Sequence, residues 1–401
     1  MQLDPLSTYG RQALDDDDIQ AVVAALHGQY LTGGPAVRVF EGALEVFTGA
    51  PHAISCGNCT QALHLAAQAL GVGPGMSVIV PAITFLATAN MPRLLGADVV
   101  FCDVDPDSGL MRPEDFMAAL KRCPTRPMAV SPVHLAGQVV DIKAIHDIAR
   151  EHGLKIIEDA AHAVGTSYKV EGKTYKVGDC AFSDATAFSF HPVKHITTGE
   201  GGAVLVKDAA LSEKILQLRS HGMVRNPADF VRRDMGFDED GLVNPWYYEM
   251  PDFGHNFRLT DIQAALGTSQ LKKLPAFVAK RARLKARYDE LLAPYANSIK
   301  PLKVTPDCAP AWHLYSVLID FKVLGQSRAR VMNALSDNGV GTQVHYIPVH
   351  QQPYYKARNP DLVLRGADEY YARTLTLPLH VHMEEIHVER AVQTLTETLG
   401  I

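Results

Sequence analysis

Short apolar runs alternate with helix-like segments along the chain from about residue 50 to residue 210. A strand that is buried on both faces has a short continuous apolar run, whereas a helix has apolar residues three and four positions apart. Strands that alternate with helices in this way indicate βαβ units, so the pattern predicts an α/β fold with a mostly parallel sheet covered by helices. The predicted strands are 78–80, 99–101, 128–130 and 154–157, and the predicted helices are 62–70, 113–121 and 142–152.

The overall composition argues against several classes of protein. With 401 residues, of which 47% are hydrophobic, the chain can bury a sizeable core and form more than one domain. The net charge of −6 gives no indication of a nucleic-acid partner, and no apolar stretch reaches the roughly 18 residues of a membrane-spanning helix. The six cysteines lack the spacing of a disulfide framework, which favours a cytoplasmic protein over a secreted one.

The pattern changes along the chain divide it into an arm, a large domain and a C-terminal part. The large domain contains a polar insert with several aromatic residues, and a connection of that length in a compact domain is either mobile or functional. The C-terminal part begins with linking helices and continues as a small α/β domain. The predicted bounds are 1–30 for the arm, 31–255 for the large domain, 224–251 for the insert, 256–401 for the C-terminal part, and 260–271 and 274–292 for its linking helices.

Lys194 and Asp159, both in the large domain, have the side chains that pyridoxal 5′-phosphate (PLP) chemistry requires. A lysine amine can bind the aldehyde of PLP and later act as a general base, and a carboxylate can pair with the protonated pyridine nitrogen. Each residue alone has a simpler explanation, because most lysines are surface charges and an aspartate before a helix commonly caps it. Asp159 ends a predicted strand, where ligands of parallel sheets collect, so the two residues together predict a PLP site.

Three other side chains are candidates for holding the same cofactor. Thr60 lies where a loop leads into a helix, and helix N-termini bind phosphate through their free N–H groups. Ser189 is a second candidate phosphate ligand, five residues before Lys194. Phe85 is a candidate for stacking on the pyridine ring, although an isolated phenylalanine is more often part of the core.

No metal site is predicted. Cys56 and Cys59 form a close pair, but the second pair that a zinc site usually needs is missing. His380, His382 and His387 are near one another in the sequence, and we expect them to be exposed surface histidines.

Four stretches of the sequence resemble motifs of the DegT-type nucleotide-sugar aminotransferases, which are fold-type I PLP enzymes. The stretches occur in the family's order, and the likeness covers nearly the whole chain. The resemblance implies a large PLP-binding domain with a mostly parallel sheet, a smaller C-terminal α/β domain, and a homodimer with shared active sites. The matching stretches are 133–138, 158–162, 189–202 and 254–259.

The resemblance also implies roles for individual residues. Lys194, Asp159 and His162 correspond to the catalytic residues: the lysine that binds PLP covalently, the partner of the ring nitrogen, and a residue near the phenolic oxygen. Asn256 corresponds to a residue that reaches the cofactor phosphate of the neighbouring subunit, and Arg258 to a ligand of the amino donor's carboxylate. The other implied cofactor contacts are Phe85 on the ring, and Thr60, Gln61 and Ser189 at the phosphate.

Three positions of the sequence either differ from the usual pattern or separate the chain from some relatives. Cys59 and Gln61 stand where smaller residues are commoner, so a hydroxyl contact to the phosphate at position 61 is lost while a backbone contact survives. Some relatives have histidine in place of the lysine and act as dehydratases. Here Lys194 is present and His195 only follows it, which favours transamination.

The resemblance is strongest to the branch that acts in pseudaminic acid synthesis, which aminates C4 of a UDP-linked 4-keto-6-deoxy sugar with L-glutamate as donor. Branches that make perosamine or 4-amino-arabinose have similar lysine motifs and remain alternatives. A PLP-dependent sugar dehydratase and a non-catalytic PLP-fold sensor are the other two. In the stretch 343–350, His345, Tyr346 and His350 are predicted either to line the substrate pocket or to form a structural corner.

Overall fold

The computed structural model describes residues 4–401, and it confirms the predicted α/β fold with a mostly parallel sheet. The four strands predicted from apolar runs correspond to β2, β3, β4 and β5 of the structure, with small differences at their ends. The strands of the described residues are β1 (His52–Cys56), β2 (Met76–Pro81), β3 (Asp98–Cys102), β4 (Arg126–Val130), β5 (Lys155–Asp159), β6 (Ser167–Val170), β7 (Lys173–Lys176), β8 (Ala185–Ser189), β9 (Gly202–Val206), β10 (Ile299–Pro301), β11 (Cys308–Ala309), β12 (Tyr315–Ile319) and β13 (Thr374–Leu377).

Seven strands form the large sheet in the order β1-β9-β8-β5-β4-β2-β3. Strand β9 runs antiparallel to both of its neighbours, while β8, β5, β4, β2 and β3 are parallel to one another. Parallel neighbours end at the same edge of a sheet, so Asp159 at the end of β5 and Ser189 at the end of β8 lie along one edge. This edge is where most of the predicted site residues meet.

Helices cover the large sheet and connect its strands, as the sequence predicts. The three helices predicted within the alternating region correspond to α3, α5 and α6. The α-helices of the described residues are α1 (Asp16–Leu26), α2 (Pro35–Thr48), α3 (Cys59–Ala69), α4 (Leu86–Leu94), α5 (Pro113–Leu120), α6 (Ile142–Glu151), α7 (Ala209–Arg219), α8 (Arg233–Gly236), α9 (Asp261–Leu292), α10 (Arg328–Asp337), α11 (Pro353–Lys356), α12 (Arg365–Arg373) and α13 (Glu385–Leu399).

Helix α9 corrects the prediction of two linking helices at 260–271 and 274–292. The structure has one continuous helix of 32 residues that runs through Pro275. Proline removes one backbone hydrogen bond of a helix, and the sequence pattern alone gives no compensation for that loss. Leu271 and Leu274, on either side of the expected break, are both buried, so packing of the helix face maintains it across the proline.

Two clusters of buried apolar side chains make up the core. The first surrounds the large sheet, and the second lies around β12 and β13 and includes Leu6 from the N-terminal arm. Helix α9 contributes Leu274 to the first cluster and Tyr288 to the second. The predicted domain bounds stay a prediction, because this helix belongs to both clusters and crosses between them.

The insert predicted at 224–251 has local structure of its own. Val224 and Glu249 pair as an antiparallel bridge at its base, and Phe230 packs edge-on against Tyr247 with ring centroids 4.9 Å apart. Trp246 is 74% exposed on its surface. The insert therefore has local folded structure, and part of its aromatic surface is exposed to solvent.

His380 corrects the expectation that the histidines near the C-terminus are exposed. It is fully buried, and its Nε2 donates a hydrogen bond to the backbone carbonyl of Pro5 over 2.7 Å. His382 likewise donates to the carbonyl of Gln12 over 3.0 Å, so these histidines hold the N-terminal arm. Within residues 4–401, no group of three or more His, Cys, Asp or Glu side chains is arranged to hold a metal ion. None of the helices described above is both long and apolar enough to cross a membrane.

Candidate active site

A cavity of about 670 Å³ opens at the carboxyl edge of the large sheet. Its volume falls within the roughly 300–1,000 Å³ that is typical of cofactor and small-molecule sites. The structure brings together at this cavity most of the site residues predicted from the sequence. Those that line it are Thr60, Phe85, Asp159, His162, Ser189, Lys194, His345 and Tyr346.

Asp159 presents a buried carboxylate to the cavity. The residue is 5% exposed and lies at the last position of β5. Its Oδ2 accepts a hydrogen bond from Oγ1 of Thr88 over 2.6 Å, and its Oδ1 accepts one from the N–H of Ala161 over 3.1 Å. The Oγ1 of Thr88 lies a further 2.7 Å from that of Thr84. These bonds fix the orientation of a negative charge at the cavity wall.

Lys194 lies half-buried in the turn that follows β8, on the same cavity. Its backbone N–H donates to the carbonyl of His191 over 2.8 Å, which fixes the base of the side chain. Burial lowers the pKa of Lys194 to about 8, although the nearby Cys59 and Asp159 act in the opposite direction. A lysine with this pKa has a large neutral fraction near pH 8, and the neutral amine is the form that attacks a carbonyl or accepts a proton.

The N-terminal turn of α3 forms another wall of the cavity. Asn58 caps this helix, with its side-chain oxygen accepting a hydrogen bond from the N–H of Gln61 over 2.9 Å. Thr60 in the first turn and Ser189 at the end of β8 both line the cavity here. A side chain on Gly202 would place its Cβ 2.5 Å from the backbone of Asn58, so the glycine lets β9 approach this turn. The turn offers helix N–H groups and two hydroxyls to an anion.

His162 and Tyr346 form a hydrogen-bonded pair at the cavity wall. The Nε2 of His162 lies 3.1 Å from the hydroxyl of Tyr346, and Nδ1 accepts from the N–H of Ala136 over 3.4 Å. Burial, together with the charge of the nearby Lys194, holds the pKa of His162 well below its usual range. The ring of Phe85, 58% exposed, has its centroid 6.2 Å from that of Tyr346. The pair and Phe85 therefore form an aromatic wall.

Other predicted site residues do not line the cavity. Gln61 is engaged through its backbone in the cap of α3. Asn256 is exposed and pairs with Ser220 as an isolated bridge. Arg258 lies on a second cavity of about 560 Å³.

His350 is placed away from the cavity, and its predicted contact with substrate has no counterpart in this structure. The residue is 2% exposed and lies in a short helical turn at Val349–Gln351. Its ring centroid is 6.1 Å from that of Phe101 in β3, and its Nε2 is 3.9 Å from Asp368. The turn directs this side chain back against the core, whereas Tyr346, four residues earlier, faces the cavity.

Two further residues at the site, Thr88 and Tyr9, are not predicted from the sequence. Thr88 donates a hydrogen bond to Asp159 and lies three positions after Phe85. Its spacing from Thr84, near the start of α4, is only a weak indication of a role at the site. Tyr9 of the N-terminal arm lines the cavity, and its ring packs edge-on against His345 at 5.0 Å. No local pattern connects Tyr9 with the site, because the arm reaches it only in the folded chain.

The residues at the cavity fit PLP. A buried carboxylate faces a lysine of lowered pKa, an exposed aromatic ring offers a stacking surface, and a helix N-terminus with hydroxyls offers phosphate contacts. Asp159 would hold the ring nitrogen, and Lys194 would hold the aldehyde. Phe85 would pack on the ring face, and the turn at Thr60 would hold the phosphate.

Comparisons with known proteins point in the same direction. The sequence model of the DegT/DnrJ/EryC1/StrS aminotransferase family matches residues 12–396. SpsC of Bacillus subtilis (strain 168), a spore coat polysaccharide biosynthesis protein, is 38% identical over 392 residues, which cover 97% of this chain and 96% of SpsC. The structure of Helicobacter pylori PseC, an aminotransferase involved in the biosynthesis of pseudoaminic acid, is similar with a TM-score of 0.86 and 31% identity, covering 98% of this chain and 99% of PseC.

A Streptococcus pneumoniae protein solved in its PLP form is also similar, with a TM-score of 0.84 and 25% identity over 98% of both chains. The family match spans almost the whole chain, and the cavity contains the lysine and aspartate that PLP chemistry needs. This chain therefore belongs to the DegT/DnrJ/EryC1/StrS aminotransferase family and is a PLP-dependent sugar aminotransferase.

Proposed function

We propose that the enzyme transfers the amino group of L-glutamate to C4 of a nucleotide-linked 4-keto-6-deoxy sugar, with UDP as the carrier, in pseudaminic acid-type amino sugar biosynthesis. The observation that supports amino transfer most directly is the facing pair of Lys194 and Asp159 in one cavity, with the pKa of the lysine lowered to about 8. The likeness to PseC, which acts in pseudoaminic acid biosynthesis, supports the choice of sugar class.

Each residue of the site has a proposed task. Bound PLP supplies an electron sink that lets the α-carbon of the amino donor lose a proton. Lys194 would hold the aldehyde, and its neutral amine, when free, would accept and return the proton. Asp159 holds its negative charge beside the ring nitrogen, with Thr88 keeping the carboxylate in place. Phe85 would pack on the ring face.

The phosphate side of the site has its own proposed contacts. Thr60 and Ser189 bind the phosphate with hydroxyls, together with the first N–H groups of α3. Gln61 contributes through its backbone. His345 and Tyr346 contact the sugar substrate from the opposite wall.

We also propose that the enzyme is a homodimer whose subunits share their active sites. Asn256 is exposed and lies outside the cavity of its own chain, as expected of a residue that serves the partner's site. Asn256 would reach the phosphate and Arg258 the carboxylate of glutamate. Symmetric dimers are the commonest oligomers, and a two-fold interface places each such segment at the other site. A cytoplasmic location fits the six cysteines, all of which are free.

A screen of nucleotide-linked ketosugars tests the function. The purified enzyme would be incubated with L-glutamate and UDP-, GDP- or dTDP-linked 4-keto-6-deoxy sugars, and products identified by mass spectrometry and NMR. We expect a 4-amino sugar from a UDP-linked substrate and none from the Lys194→Ala variant. Preferred amination of a GDP-linked sugar would favour the perosamine-type reaction, and a deoxygenated product would favour a dehydratase. No amino sugar from any substrate, with PLP bound, would contradict the proposal.

A further inference from the structure

Tyr346 is held at the cavity wall by a hydrogen-bond relay that fixes the direction of its hydroxyl hydrogen. The relay begins at the N–H of Ala136, which donates to Nδ1 of His162 over 3.4 Å. A backbone N–H can only donate, so Nδ1 must be the unprotonated nitrogen of the ring. A neutral imidazole has one hydrogen, which must then be on Nε2.

His162 is neutral in this surrounding. Burial, followed by the charge of Lys194, holds its pKa well below the usual range, and protonation would also set an N–H against that of Ala136. The Nε2–H of His162 therefore donates to the hydroxyl oxygen of Tyr346, 3.1 Å away. The hydrogen of Tyr346 cannot point back at a nitrogen that is itself a donor.

The hydroxyl hydrogen of Tyr346 has to find an acceptor elsewhere. Within residues 4–401, His162 is the hydrogen-bond partner of this hydroxyl, and the residue lines the cavity. Burial raises the pKa of Tyr346 well above its usual value, so the group stays a phenol and keeps its hydrogen. His162 donates to the hydroxyl oxygen of Tyr346, and the residue lines the cavity. The hydroxyl hydrogen is therefore available to an oxygen atom of a ligand.

We infer that Tyr346 is a hydrogen-bond donor to an oxygen acceptor in the cavity, either the phenolic oxygen of the cofactor or the carbonyl oxygen of the ketosugar. The inference rests on the function proposed above, and it gives His162 the task of orienting Tyr346. Both acceptors are oxygens that have a negative charge or a strong dipole. A hydroxyl donates a stronger hydrogen bond to such an oxygen than to a neutral, hydrated group.

The Tyr346→Phe variant tests the inference, because it keeps the ring and removes only the hydroxyl. If the acceptor is the cofactor, the Kd for PLP, measured by absorbance titration without substrate, should rise about tenfold. If the acceptor is the ketosugar, kcat/KM for the sugar should fall about tenfold while the Kd for PLP is unchanged. The inference is overturned if both quantities stay within about twofold of the unmodified enzyme.

Two variants separate this role from a structural one. Tyr370→Phe removes another buried phenol hydroxyl, which donates to the carbonyl of His345 over 3.0 Å and does not line the cavity. It should lower the melting temperature without changing either binding quantity. His162→Gln retains an acceptor for Ala136 and a donor for Tyr346, so it should lose less than His162→Leu, which should reproduce the loss seen in Tyr346→Phe.

The same measurements distinguish this inference from the proposed function. Failure of the proposed function would appear in the unmodified chain as an absence of amino transfer, while the Kd for PLP of Tyr346→Phe would still test the inference at the cofactor. An active, PLP-bound enzyme in which His162→Leu and Tyr346→Phe both match the unmodified chain would reject the inference alone.

Discussion

Asp159 and Thr60 lie at the same cavity, but the structure completes their surroundings to different degrees. On the ring side, made up of Asp159, Thr88 and Lys194, the carboxylate is 5% exposed and receives two hydrogen bonds from its own chain. On the phosphate side, made up of Asn58, Thr60 and Ser189, a helix N-terminus faces the cavity with hydroxyls beside it. A buried charge requires fixed partners, whereas a phosphate site can receive a contact from another subunit.

Loss of the lysine on the ring side should have the largest effect. We expect Lys194→Ala to abolish turnover and covalent attachment of PLP, because no other lysine within residues 4–401 lines this cavity. Borohydride reduction followed by peptide mass spectrometry would locate the attached cofactor. Lys207→Ala, which alters an exposed lysine after β9, serves as the control. Full single-turnover activity in Lys194→Ala would reject the assignment.

Loss of charge at Asp159 should come next. Asp159→Asn keeps the shape of the side chain but cannot hold a protonated ring nitrogen, so we expect PLP to remain bound while kcat falls about 100-fold. Steady-state kinetics alongside a PLP absorbance spectrum would measure both. An unchanged kcat would mean that the ring side does not act through this carboxylate.

Asn256 tests whether the phosphate side is completed by a second subunit. Lys194→Ala and Asn256→Ala subunits, each with low activity alone, should form mixed dimers with one site that has both residues intact. Subunit exchange of an equal mixture should therefore restore about a quarter of the unmodified activity. Homodimers mixed without exchange are the control. No recovery after verified exchange would show that one chain builds the whole site.

Thr88 tests how far the ring side depends on a fixed carboxylate. Thr88→Val keeps the shape and removes the hydroxyl that donates to Asp159 over 2.6 Å. Hydrogen bonds to a charged group contribute about 1.5–3 kcal/mol, so we expect kcat to fall about tenfold, less than in Asp159→Asn. Thr125→Val, at a threonine that bonds Asp98 away from the cavity, provides a matched control. Equal losses in Thr88→Val and Thr125→Val would argue against a specific effect at the ring.

The pH dependence of PLP attachment should show the smallest change. The neutral amine is the attacking form, so the rate of attachment to the apoenzyme should rise with pH and level off above the pKa of Lys194, about 8. An ordinary lysine would level off only above about 10.4. Stopped-flow absorbance at several pH values would measure the midpoint. A midpoint near that of an ordinary lysine would show that burial does not tune this amine.

The sequence predicts those site residues whose position follows from the local pattern. Asp159 ends a strand and Thr60 begins a helix, so periodicity places both at the carboxyl edge of the sheet. Tyr9 could not be predicted in this way, because its position depends on how the N-terminal arm crosses the folded chain. His350 belongs with Tyr346 to one stretch that is predicted either to line the substrate pocket or to form a structural corner, and the intervening turn directs the two side chains to different surroundings.

The burial of Leu6 has a consequence for the order in which the protein can fold. Leu6 lies in the second core cluster together with Leu399 of α13, so residues made early share a core with residues that are made much later. Contacts between such distant parts of a chain form slowly. The large sheet can assemble while the ribosome is still adding residues, but this smaller core closes only after α13 has emerged. Tyr9, which reaches the cavity from the same arm, would take its place at the catalytic centre among the last events of folding.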